Sequence, residues 1–299
     1  MSKETENVFK EFDKFMADKN VNSSDDFKKM VSQFMSQYNE IDFDEITEEN
    51  AETSDDFLEL AHNATSKKNA LKFAKKALEL DPENIDAETL VAEISAKTIY
   101  ALEDKYKKII EKATNNLTRK GYFDEENIGE FWLILETRPY MRLCDKYIDL
   151  LVNTSKMKLA TAECEKMIWL CENDNLGERY RLMHLYAFLE DEESALELLK
   201  KYPEDSTQFL LPMSILYYKL GNSKEAVKYL KKLNAVNKDT YEFLELMINE
   251  NITDYFDEIS PYGYKPFTIQ EFIVEVEVNN FLFASIPAYY EWALGKLKK

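Results

Sequence analysis

Six glycines and seven prolines in 299 residues are too few for a turn-rich β-protein. Three cysteines, Cys144, Cys164 and Cys171, are an odd count with no Cys-x-x-Cys spacing, which argues against a disulfide framework. With only two histidines, His62 and His184, a four-coordinate zinc site lacks ligands, and no cofactor is expected. No Gly-rich phosphate loop and no Ser/His/Asp arrangement can be drawn from the spacing, so no catalytic residues and no enzyme are expected. Nor does any run approach the ~20 apolar residues that span a bilayer.

Positive charge is also scarce. The net charge is −19, which excludes broad binding to nucleic-acid phosphates and docking on an anionic membrane. The simplest use of such acidity is to keep a large surface soluble. The N-terminal MSKETENVFKEF has no apolar core segment and does not read as a signal peptide, which points to the cytosol.

What is present is helical patterning. Apolar residues make up 45% and aromatics 13%, enough to build a core. Val8, Phe9, Phe12, Phe15 and Met16, then Phe27, Met30, Val31, Phe34, Met35 and Tyr38, fall at helical spacing, with Ser23 or Ser24 as a cap. Residues 1–40 are expected to form a helical hairpin and 41–54 an acidic connector. With six Lys and seventeen acids, residues 1–60 carry a charge of −11. That hairpin is a candidate surface for self-association or for a basic partner.

Residues 55–90, DDFLELAHNATSKKNALKFAKKALELDPENIDAETL, place small Ala70, Ala74 and Ala77 where two antiparallel helices approach closely. Asp81-Pro82 then ends the helix, because proline disfavours α conformation before it. The stretch resembles a tetratricopeptide repeat, a helix–turn–helix unit of 34 residues. The same alanine position recurs at Ala101, Ala160, Ala195 and Ala226, in steps of 31, 59, 35 and 31. The long step implies an insertion near 119–137. Gly221 sits in the turn before Ala226.

FWLILETRPYMR (131–142), ENDNLGERYR (172–181) and KYPEDS (201–206) resemble a bacterial group of tetratricopeptide-like proteins distantly similar to the eukaryotic "suppression of tumorigenicity" proteins. Leu176 stands where that group has Gln. Tyr262-Gly263, Pro287 and Trp292 match its closing helices, with Phe283 in place of a Trp. The resemblance implies an all-α, right-handed solenoid of repeats over 55–250 with a C-terminal helical cap over 251–299. Against this, FIVEVEVNNF (272–281) alternates like a strand; helix is expected there.

The two motifs hold four of the five arginines, in a chain with 38 Lys and Arg together. In tetratricopeptide proteins the first helix of each unit faces a concave groove where partners lie. That register puts Arg142, Asp145, Arg181 and His184 on the inner face, with Tyr180 beside them and Arg138 in the preceding turn. Arginine's planar fork binds carboxylates bidentately, so a protein or peptide partner with acidic groups is expected. The competing reading makes the arginines staples between repeats, with Thr137 capping a helix and Arg138 and Arg142 paired to Glu136, Asp145 or Asp174. A third reading places a pocket at the aromatic cluster Tyr122, Phe123, Phe131 and Trp132.

Overall fold

The computed structural model describes residues 3–17, 19, 23–40, 46–249, 252–260 and 263–298. Residues 41–45 of the expected connector and Tyr262 lie outside them. Among the described residues every regular element is helical, apart from one antiparallel bridge between Glu130 and Cys171. The fold is all-α. The chain divides into two compact units at Lys97 and Thr98, inside the expected array 55–250.

The first unit contains α1 (Lys3–Met16), α2 (Ser24–Glu40), α3 (Ser54–Asn63), α4 (Lys67–Leu80) and α5 (Ile85–Ser95). Ser23 starts α2 by accepting the Asp26 amide at 3.1 Å. Phe12 and Phe15 then meet Phe34 across the hairpin, with ring centroids 5.1 and 5.5 Å apart. Thr53 and Asp56 form a reciprocal capping box on α3. Ala74 and Ala77 are fully buried, which lets α4 lie close against both α3 and α5. A polar chain ties the three: Asn84 donates to the Ser54 hydroxyl (2.8 Å), which donates to the Ala77 carbonyl (2.9 Å).

The second unit opens with α6 (Ile99–Arg119), followed by three helix pairs. These are α7 (Arg138–Asn153) with α8 (Met157–Leu170), α9 (Glu178–Leu189) with α10 (Glu192–Lys201), and α11 (Thr207–Lys219) with α12 (Ser223–Val236). Ala160, Ala195 and Ala226 each sit on the second helix of a pair at 0% exposure, as the repeat register expects. Ala101 is only half-buried. Gly221 turns the chain between α11 and α12 at φ +73°, a conformation that favours glycine.

The insertion runs from the end of α6 to α7 and is pinned to the loop after α8. The Phe131 amide donates to the Leu170 carbonyl (3.0 Å) and the Glu172 amide to the Gly129 carbonyl (2.9 Å). Phe123, Phe131 and Tyr140 pack edge to face, and Phe131 and Trp132 are buried. Of the aromatic cluster that the third reading makes a pocket, Phe131 and Trp132 are core, while Tyr122 and Phe123 are half-buried. Thr137 does not cap α7: its hydroxyl turns back to the carbonyls of Phe131 and Ile134 and closes the insertion on itself.

The chain closes with α13 (Thr240–Asn249), α14 (Ile269–Val278), α15 (Asn280–Phe283) and α16 (Pro287–Leu297). The strand-like stretch 272–281 lies mostly in α14 and α15, as the helical expectation has it. Phe272, Ile273 and Val276 bury one side of α14, while Glu271, Glu275 and Asn279 form a second buried row at spacing i, i+4, i+8. Glu271 accepts from the Thr207 hydroxyl (2.7 Å), Asn237 (3.1 Å), the Phe267 amide (3.1 Å) and Gln208 (3.3 Å). One carboxylate thus ties α14 to α11 and to the end of α12.

Replacing Glu271 with Ala leaves these buried donors unmatched. Glu271→Ala is expected to cost about 3 kcal/mol or more in urea unfolding, whereas Glu277→Ala on the exposed side of α14 costs within about 0.5 kcal/mol.

Candidate functional site

The motif ENDNLGERYR builds a tight loop at the start of α9. Asp174 (φ +47°) is buried, and its carboxylate accepts the amides of Glu178 (2.8 Å) and Arg179 (3.0 Å). These are the donors that a helix start leaves open, so the chain's own acid fills the anion position of α9. Gly177, at φ +79°, supplies the left-handed step into the helix.

Both arginines of this motif are held by acids of the same chain. Arg179 reaches Asp174 (2.9 Å) and Glu204 (3.5 Å), with its guanidinium 4.1 Å from the Tyr180 ring centroid. Arg181 sits among three carboxylates: Asp145 (3.0 Å) and Asp149 (3.0 Å) on α7, and Glu178 (3.2 Å) on its own helix. Burial pushes the Glu178 carboxyl up to about 8, with Asp145 adding repulsion against the pull of Arg181.

The sequence-predicted residues therefore separate. Asp145 and Arg181 come together between α7 and α9, Tyr180 packs instead on Phe209 of α11 and against Arg179, and Arg142 is half-buried on α7. Arg138 and His184, by contrast, are buried. Arg138 is 4% exposed, donates to the Trp132 carbonyl at 2.7 Å and lies 5.4 Å from the Trp132 ring, tying the insertion to α7. His184 is 0% exposed.

The surroundings of His184 fix where its proton sits. Nδ1 lies 2.8 Å from the Tyr180 carbonyl, which can only accept, so Nδ1 carries the hydrogen and Nε2 is bare. Nε2 faces Glu275 Oε2 at 3.4 Å. Burial pushes the imidazole down to about 4, and burial with the neighbouring Glu271 pushes Glu275 up to about 8. His184 Nε2 has no hydrogen-bond partner among the described residues. Glu275 Oε2 accepts from Asn279 Nδ2 (3.2 Å), and this orientation leaves Asn279 Oδ1 with no donor among the described residues.

Asn279, 2% exposed, lines a cavity of about 410 Å³. Its walls are the loop Asp174–Gly177, the first turn of α9 and the face of α14 bearing Glu275, Val278 and Asn279. Leu176, Tyr180 and Val278 give it apolar surface. Sequence reasoning passed over Glu178 and Arg179 although they stand inside the quoted motif, offered Asp174 only as a partner for Arg138 or Arg142, and had no signal for Glu275 and Asn279, which arrive from a distant helix. The buried thiols add no nucleophile: Cys144 is pushed up to about 12 and Cys164 well above its ordinary value, both by burial.

These groups give stability a pH signature. Glu178 and Glu275, raised in the fold, bind more protons folded than unfolded between about 4.5 and 8, so their contribution is full below 4.5 and is lost as pH rises through 8. His184, depressed in the fold, acts oppositely between about 6.5 and 4, where falling pH destabilises. Between pH 6.5 and 8 only the carboxyls act. The urea midpoint is expected to fall across that window, and Glu275→Gln is expected to make the fall shallower.

No protein-family model matches the chain, and no curated protein matches it. Among solved structures, the crystal structure of YrrB, described as a TPR protein with an unusual peptide-binding site, is similar at 20% identity with a TM-score of 0.43. The match covers 64% of this chain and 90% of that one.

Proposed function

We propose that this chain is a non-enzymatic adaptor that holds a segment of a partner protein against the second unit, over the cavity between the Asp174–Gly177 loop, α9 and α14. The observation that carries this reading is the cavity itself. It joins exposed apolar surface at Val278, half-buried Leu176 and Tyr180, and buried polar groups that fix orientation, the usual anatomy of a recognition site. The motif resemblance to tetratricopeptide-like proteins supports the same reading, since stacked helix pairs of this kind commonly present a binding face. Among the described residues no helix is long and apolar enough to cross a membrane.

An acidic partner fits these residues poorly. Arg179 and Arg181 already hold five carboxylates of their own chain within 3.5 Å: Asp174, Glu204, Asp145, Asp149 and Glu178. An incoming acid would have to displace them. The arginines act as staples at this seam, and the segment is recognised by the surfaces beside them.

A second reading rests on the N-terminal hairpin, where Phe9, Phe27 and Met35 are exposed. There the acidic hairpin meets another copy or a basic partner.

Display of a random peptide library on the full chain separates the two. The wild type is expected to enrich a shared motif, and Val278→Arg, at a position 54% exposed, to bind those peptides at least ten-fold more weakly. Removal of residues 1–40 is expected to leave their binding and the mass in solution unchanged. No enriched motif, or binding indifferent to Val278→Arg, would overturn the cavity reading.

A further inference from the structure

The outward face of α12 carries one sign of charge. Helical geometry puts Lys224, Lys228, Lys231 and Lys232 within about 100° of arc along about 12 Å of the axis. Half-buried Val227 and exposed Ala235 lie among them, and these six residues line a shallow depression of about 540 Å³. The opposite side of the helix, with Ala226, Leu230 and Leu233 at 0% exposure, is the one that packs inward. Lys228 meets Glu225 (2.6 Å) and Lys232 meets Asp205 (3.2 Å), both pairs open to solvent. Lys224 and Lys231 are in no ion pair among the described residues. The fold does not ask for this charge. At the same place in the preceding pair, α10 turns Glu192, Glu193 and Glu197 outward and keeps lysine for its last turn.

We propose that this face of α12 docks an acidic, amphipathic segment of a partner protein. Its carboxylates meet the four lysines, and its small apolar side chains lie on Val227, Ala235 and the lysine stems. The face shares no residue with the cavity beside α9, so it is a second site that stands apart from the adaptor reading. Lysine suits the task, because a point charge on a flexible stem follows carboxylates of varied spacing. The net charge of −19 does not forbid it: at about 0.15 M salt, charges more than about 8 Å away are largely screened, so a short segment meets the lysines and little else. A nucleic acid or an anionic bilayer reaches well past about 12 Å of helix and meets the acids around it. The chain's own acidic hairpin fits the charge, but hairpin against α12 joins two different surfaces, a head-to-tail contact that runs on from copy to copy instead of closing as a two-fold dimer does. A foreign segment occupies the face without that consequence.

The test is fluorescence anisotropy of the full chain with three labelled probes: a helical peptide with glutamates three and four apart and alanine and leucine between them, the same peptide with glutamine for glutamate, and a thymidine single strand. Phosphatidylserine vesicles are tested by co-sedimentation. The glutamate peptide is expected to bind at about 0.15 M salt and at least ten-fold more weakly at about 0.5 M, with the glutamine peptide, the strand and the vesicles unbound. Lys224→Glu with Lys231→Glu is expected to weaken it at least ten-fold, and Lys224→Arg with Lys231→Arg to retain it. Lys158→Glu with Lys200→Glu, which changes net charge equally at exposed positions of α8 and α10, is expected to leave it within two-fold. Binding of the glutamine peptide, no binding of the glutamate peptide, or equal loss in both charge-reversed pairs overturns the proposal. Strand or vesicles bound in preference to the glutamate peptide overturn a protein segment as the occupant. A mass in solution that falls with Lys224→Glu and Lys231→Glu, or on removal of residues 1–40, gives the face to the hairpin of a second copy and overturns the foreign segment. Val278→Arg is expected to leave glutamate-peptide binding unchanged, so the two sites fail separately; its loss there overturns α12 as the seat.

Discussion

One guanidinium links α7 to α9 across the helix α8 that packs against both. Arg181 bridges Asp145 and Asp149 on one helix to Glu178 on the other, and only a planar fork with several donors reaches three carboxylates at once. The arrangement is conditional. Three carboxylates around one positive charge carry an excess of negative charge, and it is relieved at the most buried member, Glu178, which holds its proton more tightly. Such a cluster does little for net stability compared with a packed apolar seam, but taking away its cation strands several acids at once. Its effect is geometric: it orients the first turn of α9 toward α7, beside a loop that Asp174 closes onto the Glu178 and Arg179 amides.

A comparable constraint governs α14. A helix that must bury two faces, one apolar and one facing the polar ends of its neighbours, can use polar residues only where each has a partner. Glu271 finds four donors. Glu275 lies 3.4 Å from His184 Nε2 and accepts from Asn279, whose own Oδ1 has no donor among the described residues. Satisfaction thus falls along the row from Glu271 to Asn279.

The helical fold was legible because its signals are local. Ala160, Ala195 and Ala226 mark the second helix of each pair through size alone: at 0% exposure they have no room for a larger side chain. Residues 272–281 were harder to read, since alternating Val and Glu follow a strand's period. The helix holds because Glu271 and Glu275, four apart, find buried partners that only the tertiary fold supplies. Thr137 misled for the same reason. Its place before a helix suggests a cap, and the preceding loop captured the hydroxyl instead. The arginine motifs announced a special geometry, but their purpose turned on Glu204, Asp149 and Trp132, none of which the motif spacing points to. Glu275 and Asn279 carried no sequence signal at all, because a lone polar residue on an apolar helix looks the same whether it is satisfied or waiting.

The scarcity of arginine then has a physical account. In a chain with 57 acids, repulsion between approaching helices is the general problem, and the lysines that dominate the basic residues answer it diffusely at the surface. At the start of α9, where several carboxylates converge, arginine's several donors answer them from one side chain in Arg179 and Arg181, while Arg138 under the insertion holds the Trp132 carbonyl and ring. Positive charge spent in this way is no longer available to a ligand.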